Sequence, residues 1–337
     1  MEGFGPLLKD YLEYYKISQT DFAERLGITK KHLNNLINGK ANISEELMIA
    51  ISLITDIDIN LIFFAEKKKR VSNYLYNKYK TDDNIKAFLN SYYINDISKK
   101  GWITLKDKTS NTQKALDLLE YLNVSNFDIL DTYLDNKILY KKRDNADMKK
   151  IYLWIKHCDK LVANTSIKEY NPKDFDKLLD ELKFERLNKF NQNNIIKLFN
   201  KYGIYLVIED ALPSTKIRGC MMVKRNNPAI YLTKLFKDKA SFYFALYHEL
   251  AHVKSDYNKA KNKIVIDNVE TEVMADNFAL DNMITKDIYE KIKNNINNLE
   301  KICEYNKIPV CFATSRLAKD GIISYSSPIY NKYREII

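Results

Sequence analysis

The chain carries the segment Tyr247-His-Glu-Leu-Ala-His252, which places two imidazoles and a carboxylate at the spacing that a zinc hydrolase needs. Residues four apart on a helix lie one turn apart and about 40° from each other, so His248 and His252 can reach one metal ion. Glu249 projects nearby and can accept a proton from the attacking water without being a ligand. Apolar residues recur around the segment at helical spacing, without Gly or Pro. The pattern therefore predicts a buried helix.

A third metal ligand is expected downstream, where residues 272–280 have a second helical pattern. Glu272 is the candidate, and Asp276 follows four residues later on the same face, where it could hold the free ring nitrogen of a ligand histidine. Glu270 is the competing ligand, ranked lower because no carboxylate follows it at that spacing. The alternative to a metal site is a pair of ordinary core histidines. Two histidines and one glutamate leave a coordination position open, which is typical of a catalytic rather than a structural Zn²⁺.

Length and composition limit the classes of protein to consider. A chain of 337 residues favours two or three domains. Lys and Arg exceed Asp and Glu by ten, which suits a polyanion such as nucleic acid, although a generally Lys-rich and Asn-rich composition explains it equally well. The four cysteines form no C-x-x-C pair, and neither a signal peptide nor an apolar run of membrane-spanning length is present. We expect a cytoplasmic protein with free thiols and no membrane partner.

The pattern between residues 7 and 65 predicts short helices separated by turns. Ser18 is the expected N-cap of one helix, which Gly27 ends, and Thr29 caps the next, which Asn38-Gly39 closes. Two short helices around a glycine turn indicate a helix-turn-helix, whose second helix enters the major groove of DNA. The candidate DNA contacts are residues of types that bind phosphates or base edges: Gln19, Thr29, Lys30, Lys31, Asn34, Asn35 and Lys40.

The segment Ile17–Lys40 resembles the helix-turn-helix of Xre-type repressors, particularly the HigA-like antitoxins. The resemblance implies an all-α domain that binds a double-stranded operator, with a homodimer among the expected assemblies. The alternative is a small helical domain that has lost DNA binding or serves only to dimerise.

A small sheet is predicted ahead of the histidine helix. Residues 203–210 form a β-branched run of strand length, and Ile217–Lys224 and Ala229–Thr233 are predicted strands of a hairpin joined through 225–228. An exposed strand beside a metal site can pair with an extended substrate. Peptide is therefore the expected substrate.

The order of strand, hairpin, H-E-x-x-H helix and E-x-x-A-D helix, over residues 200–285, resembles the ImmA/IrrE family of metallopeptidases. The segment from Tyr140 to Lys156 is similar to the linker of proteins that fuse a HigA-like head to this peptidase. The resemblance implies that the two histidines and Glu272 bind zinc and that Glu249 is the base. The family more often has Gly before the second histidine, where this chain has Ala251, a residue that suits a helix.

The predicted fold is mainly α with a small β-sheet. We expect a helix-turn-helix domain at 1–66, a helical connector at 67–198 whose basic, Tyr-rich face could also touch nucleic acid, and an α+β zincin-like metallopeptidase domain at 199–337. Arg316 and Tyr325 are the candidates for donating a hydrogen bond to the oxyanion.

Two functions are compatible with this organisation. The preferred one is a DNA-binding transcription regulator with a zinc endopeptidase that cleaves a protein such as a repressor or an antitoxin. The rival is a non-catalytic, HigA-like antitoxin or phage-type regulator that uses the zinc fold as a sensor or scaffold.

Overall fold

The computed structural model describes residues 3–105, 109–129, 147–215, 217–235, 237–260 and 269–337, without the side chains of 259–260 and 269–271. Contacts divide the chain into two compact units, Met1–Phe127 and Asp128–Ile337. Helices predominate and one three-stranded sheet is present in the described residues, which confirms the predicted fold class.

The described part of the first unit is entirely helical. Its helices are α1 (Gly5–Tyr14), α2 (Gln19–Arg25), α3 (Lys30–Ile37), α4 (Glu45–Thr55), α5 (Ile59–Tyr79), α6 (Asp82–Ser91), α7 (Ile94–Lys99) and α8 (Asn111–Leu122).

Local sequence explains where α2 and α3 begin and end. Ser18 Oγ accepts a hydrogen bond from the backbone N–H of Asp21 at 3.1 Å, and Thr29 Oγ1 accepts one from His32 at 3.1 Å. Each hydroxyl satisfies a backbone donor that the first turn of a helix leaves unpaired. Gly27 follows α2 at φ +68°, in the left-handed region that favours glycine. The structure therefore confirms the predicted N-caps of α2 and α3 and the predicted end of α2 at Gly27.

In the core of the first unit, α1 packs against the end of α3. Phe4, Phe22 and Leu33 are fully buried in one cluster. A Cβ at Gly5 would lie 2.4 Å from the carbonyl oxygen of Ile37, so only glycine allows the two helices to approach this closely. Each large apolar side chain buried here contributes about 1.5–3 kcal/mol to folding.

The predicted connector, 67–198, is shared between the two units. Helix α5 runs through the predicted boundary at 66/67, and α6 and α8 pack against it within the first unit. The helices between Met148 and residue 198 belong to the second unit. The placement of the domain boundaries stays a prediction.

The second unit combines helices with the sheet. Its elements are α9 (Met148–Ala163), α10 (Phe175–Glu185), α11 (Gln192–Lys201), β1 (Tyr205–Ile208), β2 (Gly219–Lys224), β3 (Asn227–Leu232), α12 (Lys239–Ala260), α13 (Val269–Met283), α14 (Lys286–Asn294), α15 (Leu299–Tyr305), α16 (Val310–Lys319) and α17 (Pro328–Tyr333), with 3₁₀ turns at Pro172–Asp174 and Ile296–Asn298.

The sheet has the order β1-β3-β2, with β1 parallel and β2 antiparallel to β3. The hairpin turn consists of Arg225 and Asn226 at φ +50° and +65°, a two-residue turn whose twist matches that of the strands. It is shorter than the predicted link because Asn227 and Pro228 pair with β2 instead. Among the described strands β2 pairs with β3 alone, so β2 is an edge of the sheet.

Helices cover both faces of the sheet. On one face, the indole N–H of Trp154 on α9 donates to the carbonyl of Glu209 at 3.0 Å, and Tyr231 Oη donates to Asp159 at 2.8 Å. On the other face, α12 packs through Leu246 and Leu250, both fully buried, in a core that continues into the C-terminal helices. Helix α12 is therefore held on several sides. No described helix has the length and hydrophobicity to span a membrane.

Candidate metal centre and nucleic-acid interface

Helix α12 carries the H-E-x-x-H motif on a turn that faces the interior of the second unit. His252 and Glu249 are each 7 % exposed, and His248 is half-buried. The buried Leu250 and Val253 lie on the face that packs into the core. The core packing of α12 thus sets the direction in which both imidazoles point.

Helix α13 packs against α12 and brings Glu272 to the two histidines. Glu272 Oε1 lies 3.7 Å from His248 Nε2 and 3.6 Å from His252 Nε2. The two Nε2 atoms are 3.3 Å apart. Three potential ligand atoms from two helices therefore surround one point.

The spacing of these atoms fits a zinc ion. Donors bound at about 2.0–2.1 Å around a tetrahedral ion lie roughly 3.3–3.4 Å from one another. The observed separations of 3.3, 3.6 and 3.7 Å are close to that value. Two histidines and one carboxylate form a three-ligand set that leaves one coordination position for water or substrate.

Carboxylates hold the outer nitrogen of each ring. His248 Nδ1 lies 2.9 Å from Asp276 Oδ1, and His252 Nδ1 lies 3.2 Å from Asp256 Oδ2. A carboxylate accepts from an Nδ1–H, which leaves the lone pair of each Nε2 directed at the common point. Ser255 Oγ donates to Asp256 at 2.7 Å. Both rings are thus oriented as ligands of a cation need to be.

The electrostatics of the cluster favour positive charge. Burial lowers the pKa of His248, but the neighbouring carboxylates of Glu272 and Glu249 outweigh this effect, so the pKa is raised above its ordinary value. A proton or a divalent cation can supply the charge that these carboxylates stabilise.

Two residues of the site escaped the sequence analysis. Asp256 is 1 % exposed and follows His252 by four residues, which is the spacing that had identified Asp276 from Glu272. Gly219 begins β2, and a Cβ at that position would lie 2.9 Å from Glu249 Oε1 and 2.7 Å from a methyl of Leu232. A glycine in a strand can signal such a close approach, but it does not say to what.

Other expected site residues lie as follows. Glu270, the competing ligand, has its side chain outside the described residues. Arg316 and Tyr325 both line a cavity in the second unit. Arg316 Nη1 donates to the carbonyl of Ile284 at 2.7 Å, and its guanidinium lies 4.0 Å from the centroid of the Tyr289 ring. These contacts engage Arg316 within the fold.

The candidate DNA contacts lie on or beside α2 and α3. The exposed ones are Thr29, Lys30, Lys31, Asn34 and Lys40, whereas Gln19 and Asn35 are partly buried. The Thr29 hydroxyl is occupied as the cap of α3. Lys30 and Asn34 are four residues apart and share one face of α3.

Asn34 is oriented by a neighbour. Its side-chain oxygen accepts from Asn38 Nδ2 at 2.9 Å. The amide NH₂ of Asn34 therefore has a set direction, and it can donate to an acceptor on a base edge.

Comparison with known proteins gives a match for the N-terminal region only. A protein-family model described as helix-turn-helix matches residues 8–62, the region of α1 to α4 and the start of α5. No curated protein and no solved structure matches the chain significantly. The family match supports a DNA-binding transcription regulator, and the N-terminal region of this chain is a helix-turn-helix.

Proposed function

We propose that this DNA-binding regulator is also a cytoplasmic, zinc-dependent endopeptidase of the ImmA/IrrE kind. Its substrate would be a protein such as a repressor or an antitoxin. The observation that carries the proposal is the convergence of His248, His252 and Glu272 on one point beside the buried Glu249. The set of two histidines, a third ligand and an adjacent acid is what metal-assisted peptide hydrolysis requires.

Each residue of the site has a separate role in the proposed hydrolysis. When bound, zinc would polarise the scissile carbonyl and would lower the pKa of a bound water toward about 7. His248, His252 and Glu272 would hold it. Glu249 takes a proton from the attacking water and passes it to the leaving amine as the C–N bond breaks, so the carboxylate returns to its starting state.

The edge of the sheet supplies a place for the substrate backbone. Strand β2 is half-buried, pairs with β3 alone among the described strands and begins at Gly219, next to Glu249. An extended peptide that pairs with β2 would therefore pass beside the base.

The direct test is cleavage of a complex mixture. The zinc-loaded chain and the same chain stripped of metal are each incubated with a peptide library made from a cell lysate, and new termini are identified by mass spectrometry. Termini that appear only with the zinc-loaded chain support the proposal. If the folded, zinc-loaded chain cleaves neither the library nor the proteins encoded beside it, the sensor or scaffold function replaces the peptidase.

Gly219→Ala is expected to separate catalysis from metal binding. The added methyl would meet Glu249 Oε1 and the Leu232 side chain, so the carboxylate must move. A displacement of about 1 Å at a catalytic group can cost on the order of 100-fold in rate. We expect cleavage to fall by 10-fold to 100-fold, in order of magnitude, with zinc content unchanged.

Ala251→Gly is the matched control, because it exchanges the same two residue types on the helix that carries Glu249 without adding a methyl beside it. Wild-type turnover in Gly219→Ala would show that the close approach at β2 has no catalytic consequence. The zinc content and the thermal transition of both variants must be measured alongside the rates.

The DNA-binding head should show two distinguishable kinds of contact. Lys30→Ala, if it removes a phosphate contact, should reduce the slope of log affinity against log salt by about 1. Asn34→Ala should instead flatten the preference among sequences, since a base-reading amide contributes roughly 1–3 kcal/mol of discrimination. Fluorescence anisotropy on the upstream region of the gene, with a scrambled duplex beside it, measures both effects.

Asn38→Ala removes the hydrogen bond that orients the Asn34 amide and leaves the amide itself in place, so it should reduce the sequence preference less than Asn34→Ala does. If the wild type binds both duplexes equally well even at high salt, the head does not read the sequence of that region.

A further inference from the structure

A cavity of about 740 Å³ lies beside the metal cluster. Phe244 lines it and is one turn N-terminal to His248 on α12, with ring centroids 6.4 Å apart. Leu280 lines it and is one turn beyond Asp276 on α13. The two helices that form the metal cluster therefore also form two walls of this cavity.

The third wall comes from the start of β2. Arg218 lines the cavity and immediately precedes Gly219, the residue that lies against Glu249. A peptide that runs along β2 past the base has this cavity next to it. The cavity is thus placed to receive a side chain of a bound peptide close to the bond that would be cleaved.

The lining combines an apolar interior with cations. The apolar side chains include Phe244, Leu280, Met283, Ile284 and Phe312. The cationic ones are Arg218, Arg316 and Lys319, and no described Asp or Glu side chain lines the cavity. The charge around the cavity is therefore positive, with nothing in its described lining to neutralise it.

Two of the three cations remain open to a ligand. Arg316 is engaged by the Ile284 carbonyl and the Tyr289 ring. Lys319 and Arg218 are exposed, and within the described part of the chain neither forms an ion pair. Lys319 Nζ lies 4.5 Å from the centroid of the Phe244 ring, so the ammonium group is next to the apolar lining of the cavity.

We propose that this cavity selects acidic peptides, with a large apolar side chain seated against Phe244 and Leu280 and a neighbouring carboxylate on Lys319 and Arg218. The inference deepens the proposed peptidase function and rests on it for the role of the site. The volume is within the range of about 300–1,000 Å³ of ligand pockets, and it exceeds what one side chain fills. A second side chain beside the apolar one therefore has room.

Binding can be measured without cleavage, using the zinc-loaded Glu249→Gln chain and fluorescein-labelled decapeptides with blocked C termini. One peptide carries Leu-Phe followed by two glutamates at its centre, a second has two glutamines instead, and a third keeps the glutamates but replaces Leu-Phe with two serines. The first should bind roughly fivefold to tenfold more tightly than the second at low salt, because two exposed ion pairs add to apolar contact. The third should bind more weakly than the first.

Charge reversals on the protein identify the cations. Lys319→Glu and Arg218→Glu should each reduce the preference for glutamate, and the double variant should prefer glutamine. Lys301→Glu makes the same change of charge at an exposed site outside the cavity and should leave the preference intact.

Equal affinity for the first two peptides, an undiminished preference in Lys319→Glu, or no binding of the first peptide at millimolar concentration would each overturn the proposal. Its failure is distinguishable from that of the peptidase. If the chain binds acidic peptides selectively but cleaves nothing, the acidic-peptide proposal stands and the peptidase proposal fails. If the chain cleaves peptides without an acidic preference, the peptidase proposal stands and the acidic-peptide proposal fails.

Discussion

His252→Ala is expected to leave the purified chain without bound zinc, whereas the wild type should carry about one zinc per chain. The substitution removes one of three converging donors and leaves the other two with an enlarged opening to water. Loss of an outer partner such as Asp256 typically weakens metal binding 10-fold to 100-fold, so loss of a ligand should exceed that. Elemental analysis after dialysis, with chelator competition for affinity, measures the effect.

His157→Ala is the matched control for this experiment. His157 is half-buried in the second unit, and its Nε2 lies 3.7 Å from Glu209, outside the metal cluster. It should keep full zinc. Equal zinc content in the wild type and in His252→Ala would show that this cluster does not bind zinc. Zinc retained in Glu272→Ala would show that the third ligand is Glu270 or another residue.

The features of the site that sequence could predict are those that a single helix determines. The four-residue spacing of His248 and His252 places both rings on one face of any helix, whatever surrounds it. The caps at Ser18 and Thr29 were predictable for the same reason, because a hydroxyl bonds to a backbone N–H only three residues away. Asp256 was accessible to the same argument, since it follows its histidine by one turn.

The features that escaped prediction depend on packing between distant segments. The approach of Gly219 to Glu249 joins residues thirty positions apart through a strand and a helix, and no local pattern encodes that distance. Helix α9, in the predicted connector, is a second example. Its apolar face predicts that it is buried but not against what, and Trp154 turns out to bond to the segment that follows β1.

Position 249 offers the sharpest separation of catalysis from metal binding. Glu249→Gln should keep zinc and lower the cleavage rate by about 10²–10⁴-fold, or roughly 2.7–5.5 kcal/mol of activation free energy. Glutamine has the size and shape of glutamate and fits the space beside Gly219, but its amide cannot take the proton of the attacking water. The loss should therefore appear in kcat.

Turnover is measured on a peptide from the library that the wild type cleaves, with zinc content determined on the same samples. Glu304→Gln, an identical exchange at an exposed position in the same unit, should behave as wild type. A Glu249→Gln chain that keeps its zinc and cleaves at the wild-type rate would show that another group is the base. If zinc is lost together with activity, Glu249 contributes to holding the metal, and the division between three ligands and one separate base would be wrong.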